Sequence, residues 1–204
     1  MEPKVGYAPV ASVGASAAYR VSGIGPRTVF VSNWISNIDA LATLDVFRPF
    51  VGGLESLCTL AVIDQLGVGQ SDIVSRDQLT DRRVWADTIT AVLDRERWSS
   101  ASLLGWDQAA LAQIAFAAMY PQRVDKLVLI NPVACYAGSE TVAGVLPATV
   151  EESVQLTMAL WATPGFMRML SPSAADDAEL CDQWVRWCCR RTCPTSSNVS
   201  HVRH

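Results

Sequence analysis

Short continuous apolar runs alternate with longer stretches of helical period from about Tyr19 to Asn131. Thr28-Val-Phe-Val-Ser32 is β-branched and aromatic, which predicts a strand buried on both faces. Leu57 to Ile63, closing on Asp64, and Asp125 to Asn131, stopped by Pro132, predict two more, and Ala101 to Leu104 a shorter one. Between them lie a helix or irregular crossover over about Ile38 to Leu54 and a helix to about Arg97. Thr80 is a candidate cap for the latter, with Trp85, Ile89, Val92 and Leu93 on one face. A third helix follows Asp107, with Leu111, Ile114, Ala115 and Ala118 at the spacing of one face, and ends at Pro121. Residues 1–18 are small and weakly patterned and predict a loosely held start, with room for a first strand. Tyr19 to Arg27 reads as a strand end, a Gly/Pro turn and entry to the next strand.

Strand–helix alternation predicts an α/β fold, a mostly parallel, doubly wound sheet in a three-layer αβα arrangement. After Pro132 the pattern changes. Thr149 to Trp161 is helical, Pro164, Gly165 and Pro172 break the chain, Glu179 to Cys189 is suited to a last helix, and no further strand is readable.

Composition narrows the function classes. The chain has 204 residues, half of them hydrophobic and 18% charged, which suits one globular domain. A net charge of -4 gives no electrostatic footprint for nucleic acid. Met1 to Arg20 lack the apolar core of a signal peptide, and no run approaches the roughly 18 apolar residues of a membrane span. A cytoplasmic protein with no membrane partner is the expectation. Cys58 and Cys135 fall near apolar stretches and read as buried thiols, while Cys181, Cys188, Cys189 and Cys193 crowd the end of the chain.

The candidate chemistry lies between the Ala101 strand and the helix after it. Gly105-Trp-Asp-Gln-Ala109 has the small-x-Asp-x-small spacing of a nucleophile elbow, a sharp strand-to-helix turn that holds one reactive side chain out over the end of a sheet. Asp107 occupies the tip. A carboxylate there can attack an sp³ carbon and form an ester. It can equally cap the helix it precedes, worth about 0.5–2 kcal/mol relative to alanine without any catalysis. Asp64-x-x-Gly-x-Gly-x-Ser71 reads as a strand end followed by a tight loop, in which Gly67 and Gly69 supply positive φ; Ser71 and Asp72 read as turn or cap residues. Without a following lysine the two glycines are weak evidence for phosphate binding.

Four segments in order resemble the α/β-hydrolase family: the Val29-to-Trp34 strand and loop, Asp64 to Ser71, the Gly105-to-Ala109 elbow, and Tyr120-Pro-x-Arg-Val-x-x-Leu-Val-Leu-Ile-Asn-Pro132. The resemblance implies that the backbone N–H of Gln108 and one from Asn33 or Trp34 form an oxyanion hole. Trp34 and Trp106 are then candidates to line an apolar pocket and to offer an indole N–H to a halide or oxyanion. An aspartate nucleophile is typical of haloalkane dehalogenases and epoxide hydrolases, which implies a small apolar substrate and no cofactor. The chain departs from the family pattern where Ser32-Asn33 replaces His-Gly or Pro-Gly, where Leu66 replaces an arginine, and where Trp106 and Gln108 flank the aspartate in place of His and Trp.

Turnover of an Asp107 ester requires a histidine oriented by a second acid. The two histidines, His201 and His204, both fall in the last four residues, and no carboxylate closes the Leu127-to-Asn131 strand. Cys189-x-x-x-Cys193 with these histidines has irregular spacing for zinc, so no metal site is expected. The expected organisation is an N-terminal hydrolase core over 1–135, a lid-like helical segment over 136–180 and an atypical, disordered tail over 181–204. Cys, Trp, Arg and His crowd that tail as in an out-of-frame translation. A truncated, catalytically impaired hydrolase is therefore one expectation. The other is a non-catalytic ligand-sensing domain like the hydrolase-like domains attached to bacterial signalling proteins.

Overall fold

The computed structural model describes residues 4–33, 37–132, 147–174 and 176–188. The chain divides into two compact units, Met1–Ala134 and Cys135–His204. In the first, strands β1 (Gly6–Val10), β2 (Ala15–Ser22), β3 (Arg27–Val31), β4 (Thr59–Ile63), β5 (Ala101–Trp106) and β6 (Val124–Ile130) form one sheet in the order β1-β2-β4-β3-β5-β6. β1 and β2 pair antiparallel, as do β2 and β4, whereas β4, β3, β5 and β6 run parallel. The mostly parallel α/β sheet read from the sequence is present.

The helices of this unit are α1 (Ile38–Thr43), α2 (Arg48–Glu55), α3 (Arg76–Thr80), α4 (Arg82–Arg95) and α5 (Ala110–Met119). One sheet face, with Val29, Val31, Ala61, Ile63 and Leu103, packs against Ile89, Val92 and Leu93 of α4 and Phe116 of α5. The other face, with Phe30, Leu60, Val62 and Leu104, packs against Ile38 and Leu41 of α1 and Val51 of α2. Alternation along each strand thus feeds two cores, which is why these strands read as unbroken apolar runs.

Several elements differ from the sequence reading. The start is not loose: β1 and β2 form a hairpin whose Ala8, Val10, Ala15, Ala17 and Ala18 are buried. Alanine lacks the branched bulk that marks a strand, yet its small side chain suits the close approach to α4. The Ile38 to Leu54 crossover is two helices. Thr80 does not cap α4; it ends α3, and its hydroxyl donates back to the carbonyls of Arg76 and Asp77. Asp81 is the cap, its carboxylate accepting from Arg83 N at 2.8 Å. On α5 the buried residues are Ala110, Ala112, Gln113, Ala115 and Phe116; of the predicted face only Ala115 is among them.

The second unit contains α6 (Pro147–Leu160), α7 (Pro164–Leu170) and α8 (Ala178–Cys188). Phe166 is its buried centre, with the Trp161 ring centroid at 5.2 Å and that of Trp184 stacked at 5.8 Å. Cys181 is buried there, and α8 carries the chain from Ala178 to Cys188. Cys135, Cys189, Cys193, His201 and His204 lie outside the described residues.

Candidate active site

β4 follows β3 on one side of it, and β5 then lies on the other, so the winding direction reverses between β3 and β5. In an open α/β sheet the crevice beyond the carboxyl ends of strands at such a reversal is where ligands bind. Asn33 lies just past the end of β3 and Asp107 just past the end of β5.

Asp107 has φ of 53°, the left-handed region that side chains avoid. The turn leaves no room for larger neighbours. A Cβ on Gly105 would come within 2.8 Å of Ala110 Cα and 3.0 Å of Leu129 Cδ2. A strained residue at the turn with a small residue at its shoulder marks the sharp strand-to-helix turn expected from the sequence. Asp107 opens a 3₁₀ turn, Asp107–Ala109, and neither this turn nor α5 is capped by a side chain. The Asp107 carboxylate instead accepts from Asn33 Nδ2 at 3.0 Å, across 74 residues of sequence. This corrects the capping alternative: the carboxylate accepts from Asn33 and makes no capping hydrogen bond to the helix it precedes. Gln113, fully buried one turn into α5, donates from Nε2 to Leu104 O at 3.0 Å and pins the helix to β5 just before the elbow. It is a polar residue in an alanine-rich helix, and only its spacing from the elbow could have flagged it.

The remaining predicted residues are placed as follows. Gln108 is half-buried in the 3₁₀ turn beside Asp107. Trp106 is half-buried, with its ring against Phe47 at 6.1 Å and Phe50 at 5.7 Å. Trp34 lies outside the described residues.

Asp64 organises the loops behind the site. It is fully buried and accepts from Ile38 N at 2.8 Å, Ser32 Oγ at 3.1 Å and Gln70 N at 3.0 Å. Burial pushes its carboxyl up to about 7, against the three donated hydrogen bonds that pull it down. Ser71 Oγ donates to Asp64 O at 2.7 Å and accepts from Ala18 N, while Asp72 Oδ2 accepts from Ser16 N, both at 2.8 Å. Gly69 has φ of 58°, and a Cβ there would stand 2.1 Å from Asp64 Oδ2. The Asp-x-x-Gly-x-Gly-x-Ser segment therefore ties the β4 loop to the segment bearing Asn33 and to β2. Leu66, where the family pattern has arginine, is buried in the core.

The Tyr120-to-Pro132 signature is structural. Arg123 donates to Trp98 O at 2.8 Å and Ser99 O at 3.2 Å and pairs with Asp94 at 2.8 Å, fixing the approach to β5.

Sheet order, the sharp turn after β5 and the Asp64 loop together define a hydrolase-type α/β domain. The chain belongs to the alpha/beta hydrolase fold family, whose model matches residues 38–185. An esterase, RhEst1, from Rhodococcus sp. ECU1013 is similar at 22% identity and a TM-score of 0.73, covering 90% of this chain and 68% of that one. A hydrolase from Pseudomonas aeruginosa PA01 shares 20% identity at a TM-score of 0.69, covering 94% of this chain and 69% of the other. A bromoperoxidase from Bacillus anthracis shares 15% identity at a TM-score of 0.70, over 92% of this chain and 69% of its own. At these identities the likeness concerns the fold alone. No curated protein matches the chain in sequence. No described helix is long and apolar enough to cross a membrane.

Proposed function

We propose that the chain is a hydrolase-family protein in which the Asp107 carboxylate attacks a small apolar substrate at an sp³ carbon. The observation that carries this reading is the strained Asp107 tip, with one carboxylate oxygen held by Asn33 Nδ2. That bond fixes the orientation of the group and leaves Oδ1 without a hydrogen bond among the described residues. With a haloalkane, Oδ1 forms a C–O bond as the C–halogen bond breaks, and the halide leaves with the electron pair. With an epoxide the ring oxygen takes the pair and then a proton. Backbone N–H groups of Gln108 and Asn33, and the indoles of Trp34 and Trp106, are the candidate donors to the departing anion.

Hydrolysis of the resulting ester needs an activated water, and no histidine occurs among the described residues. The reaction of this chain is accordingly proposed to stop at the ester. Stopped-flow assay of halide release from a short 1-haloalkane tests this. The expected result is a burst of about one halide per chain with negligible steady-state turnover; sustained turnover contradicts the arrest, and no burst contradicts the nucleophile. The lack of a histidine among the described residues also favours a second reading, a domain that binds a small apolar ligand without chemistry. Saturable binding with no halide released would select it.

A further inference from the structure

A cavity of about 450 Å³ opens on the α1–α2 side of the sheet, where β2 passes the two helices. Its walls include Arg20, Ser22 and Gly23 of the β2 end, Leu41 of α1, and Arg48 and Val51 of α2. Residues on β2 alternate between faces, and Ala18, two positions before Arg20, belongs to the core on the α1–α2 side. Arg20 therefore enters from a strand interior, where an apolar residue would ordinarily sit.

Arg20 is 9% exposed, yet its guanidinium donates no hydrogen bond among the described residues and its buried Nε has no partner. The nearby carboxylate, Glu55, lies 3.8 Å from Nη2, too far for a hydrogen bond, and its Oε1 already accepts from Ser22 Oγ at 2.5 Å. A buried, under-satisfied guanidinium costs free energy unless something accepts from it, and a planar oxyanion matches its fork. Arg48, at the rim, is exposed and paired with Asp45 at 2.9 Å. Leu41 and Val51 add an apolar wall. With Arg48 already paired to Asp45, the lining offers Arg20 as the cation with unused donors, Glu55 as a nearby carboxylate, and a surface for a short hydrocarbon. Gly23 permits the cavity's tight corner, since a Cβ there would stand 2.3 Å from Cys58 O.

We propose that this cavity binds a short aliphatic carboxylate, with the carboxylate on Arg20 and the chain against Leu41 and Val51. Glu55 disfavours a dianion, so the site selects a monoanionic carboxylate over phosphate. The site is separate from Asp107 and stands whether or not that residue reacts.

The test is NMR titration of the full chain with butyrate, with inorganic phosphate in parallel. Saturable butyrate shifts at Gly23, Leu41 and Val51 are expected, with weaker phosphate binding. Glu55→Gln should tighten butyrate binding about tenfold by removing the competing charge, and Arg20→Lys should weaken it about tenfold by removing the fork. Glu55→Gln decides the matter if the Arg20 variant fails to fold, with the exposed Arg48→Gln as a second check expected to weaken binding severalfold. Absence of saturation, phosphate binding as tight as butyrate, or affinity unmoved by Glu55→Gln each overturns the proposal.

Discussion

A left-handed aspartate at the end of β5 is costly, on the order of 1–3 kcal/mol for such backbone strain, and it persists because the surrounding residues over-determine it. Gly105 gives way to Ala110 on one side, and Asn33 holds the carboxylate on the other. Behind Asn33 stands Asp64, whose raised carboxyl has a sign that can be tested. Its value of about 7 in the fold exceeds the ordinary 3.8. Its contribution to stability is therefore fully present below pH ~4 and lost as pH rises through about 7, by at most about 4 kcal/mol. Asp64→Asn should be destabilised at pH 4, because its amide faces the Gln70 N–H, and should gain on the parent between pH 4 and 7. Urea midpoints of both proteins across that range check this; parallel pH profiles would contradict it. The sharp turn at Asp107 was legible because backbone crowding restricts the residue types on either side of it. Asn33's contact with Asp107 was not, because it joins loops distant in sequence, and Arg20 was not, because strand reading follows apolar bulk.

At the scale of elements, legibility follows how locally each boundary is enforced. Strands β3, β4 and β5 announce themselves by bulk buried on both faces, whereas the alanine-rich β1–β2 hairpin gains its identity from pairing and from α4. The apolar run of β6 reads in sequence as another buried strand, but it lies at the sheet edge and Leu127, Val128 and Ile130 are exposed. Helix α4 was readable along its buried face but not at its start, where Thr80, the cap read from the sequence, instead ends α3. Ser75 and Gln78 form a capping box for α3, and Asp81 serves α4. The far end of α4 closes in a Schellman turn: Trp98 N donates to Leu93 O at 2.7 Å and Arg97 N to Asp94 O at 3.1 Å. Arg97 takes the left-handed position, φ 56°, that glycine fills without strain. Arg97→Gly should therefore stabilise the protein by roughly 0.5–1 kcal/mol, read as a higher urea midpoint with unchanged slope. A lowered midpoint would mean that the arginine side chain contributes more than its backbone costs.

For the whole molecule, β6 is the outermost strand on its side of the sheet, and Leu127, Val128 and Ile130 are each at least 40% exposed. An apolar edge strand is a template for unwanted pairing, so Val128→Lys should lower concentration-dependent light scattering and leave the fold intact. Unchanged scattering would place the association elsewhere. The parallel sheet, its reversal between β3 and β5 and the strained turn at that reversal agree with one another, and the proposed chemistry at Asp107 rests on them. Intact-mass spectrometry after exposure to a short 1-haloalkane tests that assignment most directly, with the modified peptide mapped to separate an ester from alkylated cysteine. The account predicts one alkyl group per chain, carried on the peptide containing Asp107 and absent from Asp107→Asn. No adduct, or an adduct that survives in Asp107→Asn, would contradict it.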